Sequence, residues 1–176
     1  VQFVTMTSPA KIPSLMAGKI DAMMTFVTEE PNIASAGTKA NAEWGRFLFA
    51  DYGVENYSIG LIASDELMKS NPALVKKFVN ATMAGYGLAI ADPEGAANAF
   101  VKHFPETTRD LVIAQWKIVA GQLHTDVAKQ KGLGYMTEAK MAATIDLIKA
   151  NSKLEKDIKP ADVFTMEFLQ PQFPPK

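Results

Sequence analysis

Three dipeptides in this chain, Ser8-Pro9, Asn71-Pro72 and Asp92-Pro93, set a polar capping side chain directly before a proline. A proline there forfeits an N–H that the first helical turn leaves unpaired anyway, and its fixed φ suits the start of a helix. The spacing predicts helices beginning at each pair. The first runs to a stop at Gly18 and is kept short or irregular by Pro13. The second carries Leu74, Val75, Phe78, Val79, Thr82, Met83, Tyr86 and Ile90 on one face. The third has Glu94 in its first turn and ends near His103. Between the first and second, DELMKS is one or two helical turns. A long helix is expected from Glu106 to about Lys131, a break at the GLG of 132–134, a helix capped by Thr137 that bears Met141, Ile145 and Ile148, and a last short helix from Pro160 through Val163 and Phe164.

Against five or six helices stand only three strand-like runs, residues 1–6, 21–27 and 57–63. A short segment near residues 44–49 and a turn at 51–56 precede the third run. Two strands joined by a helical crossover form the parallel α/β unit, so residues 1–27 read as strand, helix, strand. The EEPNIASAG stretch that follows reads as a break, where two carboxylates, a proline and small residues leave the strand. The fold class expected is therefore α/β. Three strands are too few for a self-contained doubly wound sheet, so part of that sheet is expected outside this chain. The opening VQFVTM, with no initiating Met and no basic or long apolar lead, points the same way.

Composition excludes several classes. With 18 Lys and Arg against 19 Asp and Glu, the net charge of −1 gives no long-range attraction for nucleic acid or an anionic membrane. No apolar run approaches the length that crosses a bilayer, so direct membrane insertion is not expected. The absence of cysteine removes disulfides, thiolate catalysis and cysteine-ligated metal. His103 and His124 fall in different predicted helices without metal-binding spacing, and the serines lack a GxSxG setting. The GLGYM segment follows a helix rather than a strand and lacks a phosphate-loop lysine, which makes it a helix stop followed by a new N-cap. No catalytic residue, metal or cofactor is expected.

The candidate ligand contacts lie where segments end. Glu29, beside Glu30 just past the second strand-like run, could accept hydrogen bonds from an amino-bearing solute, or could simply be a solvated charge. Thr7 and Ser8 precede free helix N–H groups and add two hydroxyls, although ordinary capping explains Ser8 equally well. Phe26, Trp44, Tyr52 and Tyr57 suit a flat, partly polar solute, with core packing the competing role. Trp116, in a long helix, fits core or rim better than a ligand stack, and is carried as a candidate beside Thr7, Ser8, Phe26, Glu29 and Tyr57. Only Arg46 and Arg109 are available as arginines, which disfavours a small anion such as nitrate or a sulfonate.

The order VTMTSPAKIPSLMAGKIDAMMTFVTEEP, then FADYGVENYSIGLIASDELMKSNPALVKKFVNATMAGYGLAIADPEGAANAFVKHFPE, then KGLGYMTEAKMAATIDLIK resembles the NMT1/THI5-like family. These are ABC-transporter substrate-binding proteins of the nitrate, sulfonate, taurine and pyrimidine-precursor type. LMAGKIDA, the YGV…Y…GLIAS…NP run and GLGYM are the most specific stretches. The resemblance implies a type II periplasmic-binding-protein-like bilobal fold. Residues 1–28 would end the second lobe, 29–36 would form the hinge crossover, 37–170 would complete a mostly helical first lobe, and 171–176 would be a tail. It implies a periplasmic or lipid-anchored receptor that captures a small solute, with a pyrimidine-like or other small heterocycle favoured, and presents it to an ABC permease. It further implies an N-terminal half that this chain does not include. Two other activities fit the resemblance. One is a pyrimidine-precursor biosynthetic enzyme, which the lack of cysteine and the isolated histidines disfavour. The other is a sensor domain that reuses the binding fold.

Overall fold

The computed structural model describes residues 1–153 and 156–170, and the tail expected at 171–176 lies outside them. All regular structure among the described residues is helical. Eight α-helices follow in order: α1 (Ser8–Met16), α2 (Glu30–Ala40), α3 (Asp65–Ser70), α4 (Pro72–Ala91), α5 (Pro93–His103), α6 (Arg109–Leu123), α7 (Asp126–Lys131) and α8 (Glu138–Asn151). Short 3-10 turns occupy Val27–Glu29, Phe49–Tyr52 and Pro160–Asp162.

This overturns the α/β expectation. Residues 1–6, 21–26 and 57–63 lie outside regular structure, and among the described residues none of them pairs into a sheet. Alternating apolar residues make a segment competent to be a strand. A strand's stability comes from the ladder and from side chains packed across it, and a lone extended segment has neither. The last residue of the second run, Val27, already belongs to the 3-10 turn that leads into α2. The EEPNIASAG stretch is helical rather than a break. Pro31 sits in the first turn of α2 beside the acidic Glu30, both favourable at a helix start. The expected long helix from Glu106 is two helices. Thr125 interrupts it, its hydroxyl accepting the Ala128 N–H at 3.0 Å to cap α7.

Other starts fall where the caps place them. Asn71 Oδ1 accepts from Leu74 N at 3.1 Å, Asp92 Oδ1 from Gly95 N at 2.9 Å and Thr137 Oγ1 from Lys140 N at 3.3 Å. At α1 the cap is Thr7 rather than Ser8, with Pro9 one position later.

The chain divides into two compact units. The first comprises Val1–Arg46 and Asp92–Gln122, the second Phe47–Ala91 and Leu123–Lys176. In the first, α1 packs on α2, whose buried face presents Ile33 and Gly37. A Cβ at Gly37 would stand 3.0 Å from Trp44 Cδ1, so the indole packs closely against the helix there. Ala97 of α5 is also buried. In the second unit the core is built from Val75 of α4, Ala128 of α7, Leu133, Ile145 of α8 and Phe168. Leu133, the middle residue of the GLG turn, is 1% exposed. Its neighbours Gly132 and Gly134 both have positive φ, which lets the chain reverse tightly between α7 and α8 while driving Leu133 inward. No helix among the described residues is long and apolar enough to cross a membrane.

Candidate functional site

Five of the six residues singled out from the sequence, Thr7, Ser8, Phe26, Glu29 and Trp116, lie in the first unit, and Tyr57 lies in the second. The first unit builds its part from two consecutive helix entrances. The cap residue of α1, Thr7, is extended at φ −69° and ψ 150° and makes no side-chain cap bond. Thr7 and Ser8 are both exposed. One turn on, Lys11 Nζ donates to Met24 O at 3.2 Å, which ties α1 to the extended segment that ends in Phe26. The Phe26 ring is solvent-exposed where the chain turns into the 3-10 segment before α2.

The two adjacent carboxylates are differentiated by their partners. Glu30 is engaged by the Arg46 guanidinium in an ion pair. Glu29 Oε2 accepts from Asn32 Nδ2 at 2.9 Å, and no cation pairs with it among the described residues. A carboxylate can accept about four hydrogen bonds, so the bond to Asn32 uses only part of the acceptor capacity of Glu29. Trp116 is partly buried on α6.

Tyr57 is committed to the fold of the second unit. Its hydroxyl accepts the Thr137 N–H at 2.8 Å and lies 3.4 Å from Thr137 Oγ1, at the N-cap of α8. Lys140 Nζ stands 5.2 Å from the ring centroid, within cation–π range. The phenol thus satisfies one of the N–H groups at a helix start and fixes the loop from 57 against α8. The remaining aromatics also have structural neighbours: Trp44 rests on Gly37, and Tyr52 meets Phe47 edge-on with centroids 6.5 Å apart.

His103 ends α5 in the first unit, and His124 lies between α6 and α7 in the second. Among the described residues no three of His, Asp and Glu cluster as a metal site. The GLGYM segment is a tight turn and helix cap, as its spacing indicates.

One contact that sequence reasoning missed is Asn80, on α4. Its Nδ2 donates to Phe168 O at 2.8 Å and its Oδ1 accepts from Gln170 N at 2.7 Å. The side-chain amide thereby holds two backbone groups of a segment some ninety positions away. Nothing local in the sequence marks an asparagine for that role.

The NMT1/THI5-like family model matches residues 1–96, more than half of the chain, and the chain belongs to that family. It is also 26% identical, over 174 residues, to the riboflavin-binding protein RibY of Chloroflexus aurantiacus. That match covers 96% of this chain and 47% of RibY, so the chain spans about half the length of its curated relative.

Proposed function

We propose that this chain is part of a receptor for a flat nitrogen heterocycle of the riboflavin kind, acting in a periplasmic or lipid-anchored ABC importer and handing its solute to the permease. The observation that carries the reading is the similarity to a riboflavin-binding protein along almost the whole chain. Local chemistry supports it. An exposed aromatic ring at Phe26 offers a stacking face. The Glu29 carboxylate offers acceptors for a ring N–H or for ribityl hydroxyls. The hydroxyls of Thr7 and Ser8, beside the N–H groups that open α1, offer donors for carbonyl oxygens. A receptor needs no bond-making step: ligand contact favours the bound state, and the permease recognises that state. In this reading the other half of the receptor, corresponding to the part of RibY outside the match, completes the binding protein.

Titration with riboflavin, followed by quenching of its own fluorescence and by calorimetry, tests the reading, with aminopyrimidines, taurine and nitrate as comparators. Riboflavin should bind, and Phe26→Ala and Glu29→Ala should each weaken it about tenfold, the loss of one good contact. Tight taurine or nitrate binding without heterocycle binding would overturn the ligand class.

A further inference from the structure

Glu29 and Asn32 form a hydrogen-bonded pair at the entrance to α2, on backbone that is held from both sides. The Glu29 N–H donates to Phe26 O at 3.0 Å, closing the 3-10 turn that leads from the exposed Phe26 ring to the carboxylate. Asn32 follows three residues later in the first turn of α2, a spacing that brings two side chains to the same side of a helix. The next residue, Ile33, is 5% exposed, and α1 packs on α2. Burial of that neighbouring face anchors the helix that carries Asn32.

The chemistry of the pair fixes which atoms it offers. A carboxylate only accepts, so the Asn32 amide turns its nitrogen towards Glu29, and Nδ2 donates to Oε2 at 2.9 Å. That bond uses one of the two hydrogens on Nδ2 and one of about four acceptor positions on the carboxylate. Among the described residues neither side chain makes a further hydrogen bond, and the pair is only part-buried. An acceptor and a donor therefore stand side by side, within reach of two adjacent atoms of one ring. The neighbouring carboxylate does not compete, since Arg46 engages Glu30 in an ion pair.

We propose that the Glu29–Asn32 pair reads the N–H/C=O edge of a cyclic imide or lactam, with Asn32 as the residue that sets specificity. The flavin ring carries such an edge, an imide N–H set between two carbonyls. Glu29 accepts from the N–H, and the second hydrogen on Asn32 Nδ2 donates to an adjacent carbonyl oxygen. Two parallel bonds of opposite sense discriminate better than one. A ligand that lacks either group leaves a part-buried partner unpaired. Nitrate offers no N–H and would set negative charge against Glu29. The inference rests on the proposed receptor for a flavin-like heterocycle, and adds which edge of the ring is recognised and by which residues.

The test measures Kd of the complete receptor for riboflavin and for riboflavin methylated at the imide nitrogen, by fluorescence quenching and calorimetry. The methyl group replaces the N–H, so the methylated ligand should bind at least tenfold more weakly. Asn32→Ala should weaken riboflavin about tenfold, with helical circular dichroism unchanged, and affect the methylated ligand much less. The ratio of the two affinities then collapses, whereas a structural defect would weaken both ligands alike. Asn32→Asp keeps the size of the side chain but sets a second acceptor against Glu29 and the ring carbonyl, and should cost more than Asn32→Ala. Glu29→Ala combined with Asn32→Ala should lose less than the product of the two single losses, as coupled contacts do. Riboflavin binding with equal affinity for the methylated ligand, or with an unaltered ratio in Asn32→Ala, overturns the assigned edge and leaves the receptor standing. Failure of the unaltered receptor to bind riboflavin overturns both.

Discussion

Replacing Asn80 by alanine removes a side chain that joins α4 to a segment distant in sequence. Two long-range bonds are lost, Nδ2 to Phe168 O at 2.8 Å and Gln170 N to Oδ1 at 2.7 Å. A neutral hydrogen bond contributes about 1 kcal/mol net, and a partly buried group left unpaired costs about 1–3 kcal/mol. The loss should therefore total roughly 2–3 kcal/mol. Alanine's better helix propensity in the interior of α4 returns only about 0.6 kcal/mol, so the loss wins. A net 2 kcal/mol corresponds to an approximately thirtyfold larger population of the undocked segment. The assay is amide exchange at Gln170, whose N–H is held by the Asn80 side chain. Its exchange should accelerate at least tenfold in Asn80→Ala, and Phe168, now buried, should lose protection with it. Asn80→Asp separates the two bonds, because it keeps the acceptor for Gln170 but turns a carboxylate oxygen towards the Phe168 carbonyl. Unchanged Gln170 exchange in Asn80→Ala would refute the assignment of Asn80 as the clasp.

Gly134→Ala places a Cβ on a residue at φ +79° and 2.5 Å from Met83 Sδ. The left-handed conformation costs about 1–2 kcal/mol and the flexible Met83 thioether must shift aside, so thermal melting should fall by several degrees. Met83→Ala in the same background should not restore the share due to the backbone. Tyr57→Phe keeps the ring beside Lys140 but leaves the Thr137 N–H without its acceptor. A loss of about 1–2 kcal/mol is expected, with faster exchange at Thr137; equal exchange would show that the phenol does not hold α8. The Lys149–Asp157 pair, at 2.7 Å, has a pH signature. The hydrogen bond and charge of Lys149 lower the Asp157 pKa below its ordinary 3.8, and the bond to Asp157 raises that of Lys149. The depressed carboxylate favours folding above pH 3.8, and its contribution fades as pH falls through the lowered value. The raised ammonium contributes fully below 10.5 and loses its contribution as pH rises through its higher value. Carbon-detected NMR titration should place Asp157 below 3.8, and Lys149→Met should return it upward; a midpoint unmoved by that change would remove the pair from the account.

Local chemistry by itself determined most helix boundaries. Asn71, Asp92 and Thr137 cap where their side chains reach an N–H three residues on, and Gly132 stops α7, because capping depends only on residues within one turn. The family was likewise legible from the order of segments. The differing partners of Glu29 and Glu30 were not, since Arg46 reaches Glu30 only after α2 forms and the chain returns past it. Nor was the place of Tyr57, whose partner Thr137 lies 80 residues away. The three strand-like runs show the limit most clearly. Their apolar, β-prone residues made 1–6, 21–27 and 57–63 fit for a sheet, but a strand exists only through neighbours that pair with it. Helices close their hydrogen bonds within one segment, so sequence alone can place them. Extended segments close theirs across the tertiary structure, and among the described residues these runs find no partner strand.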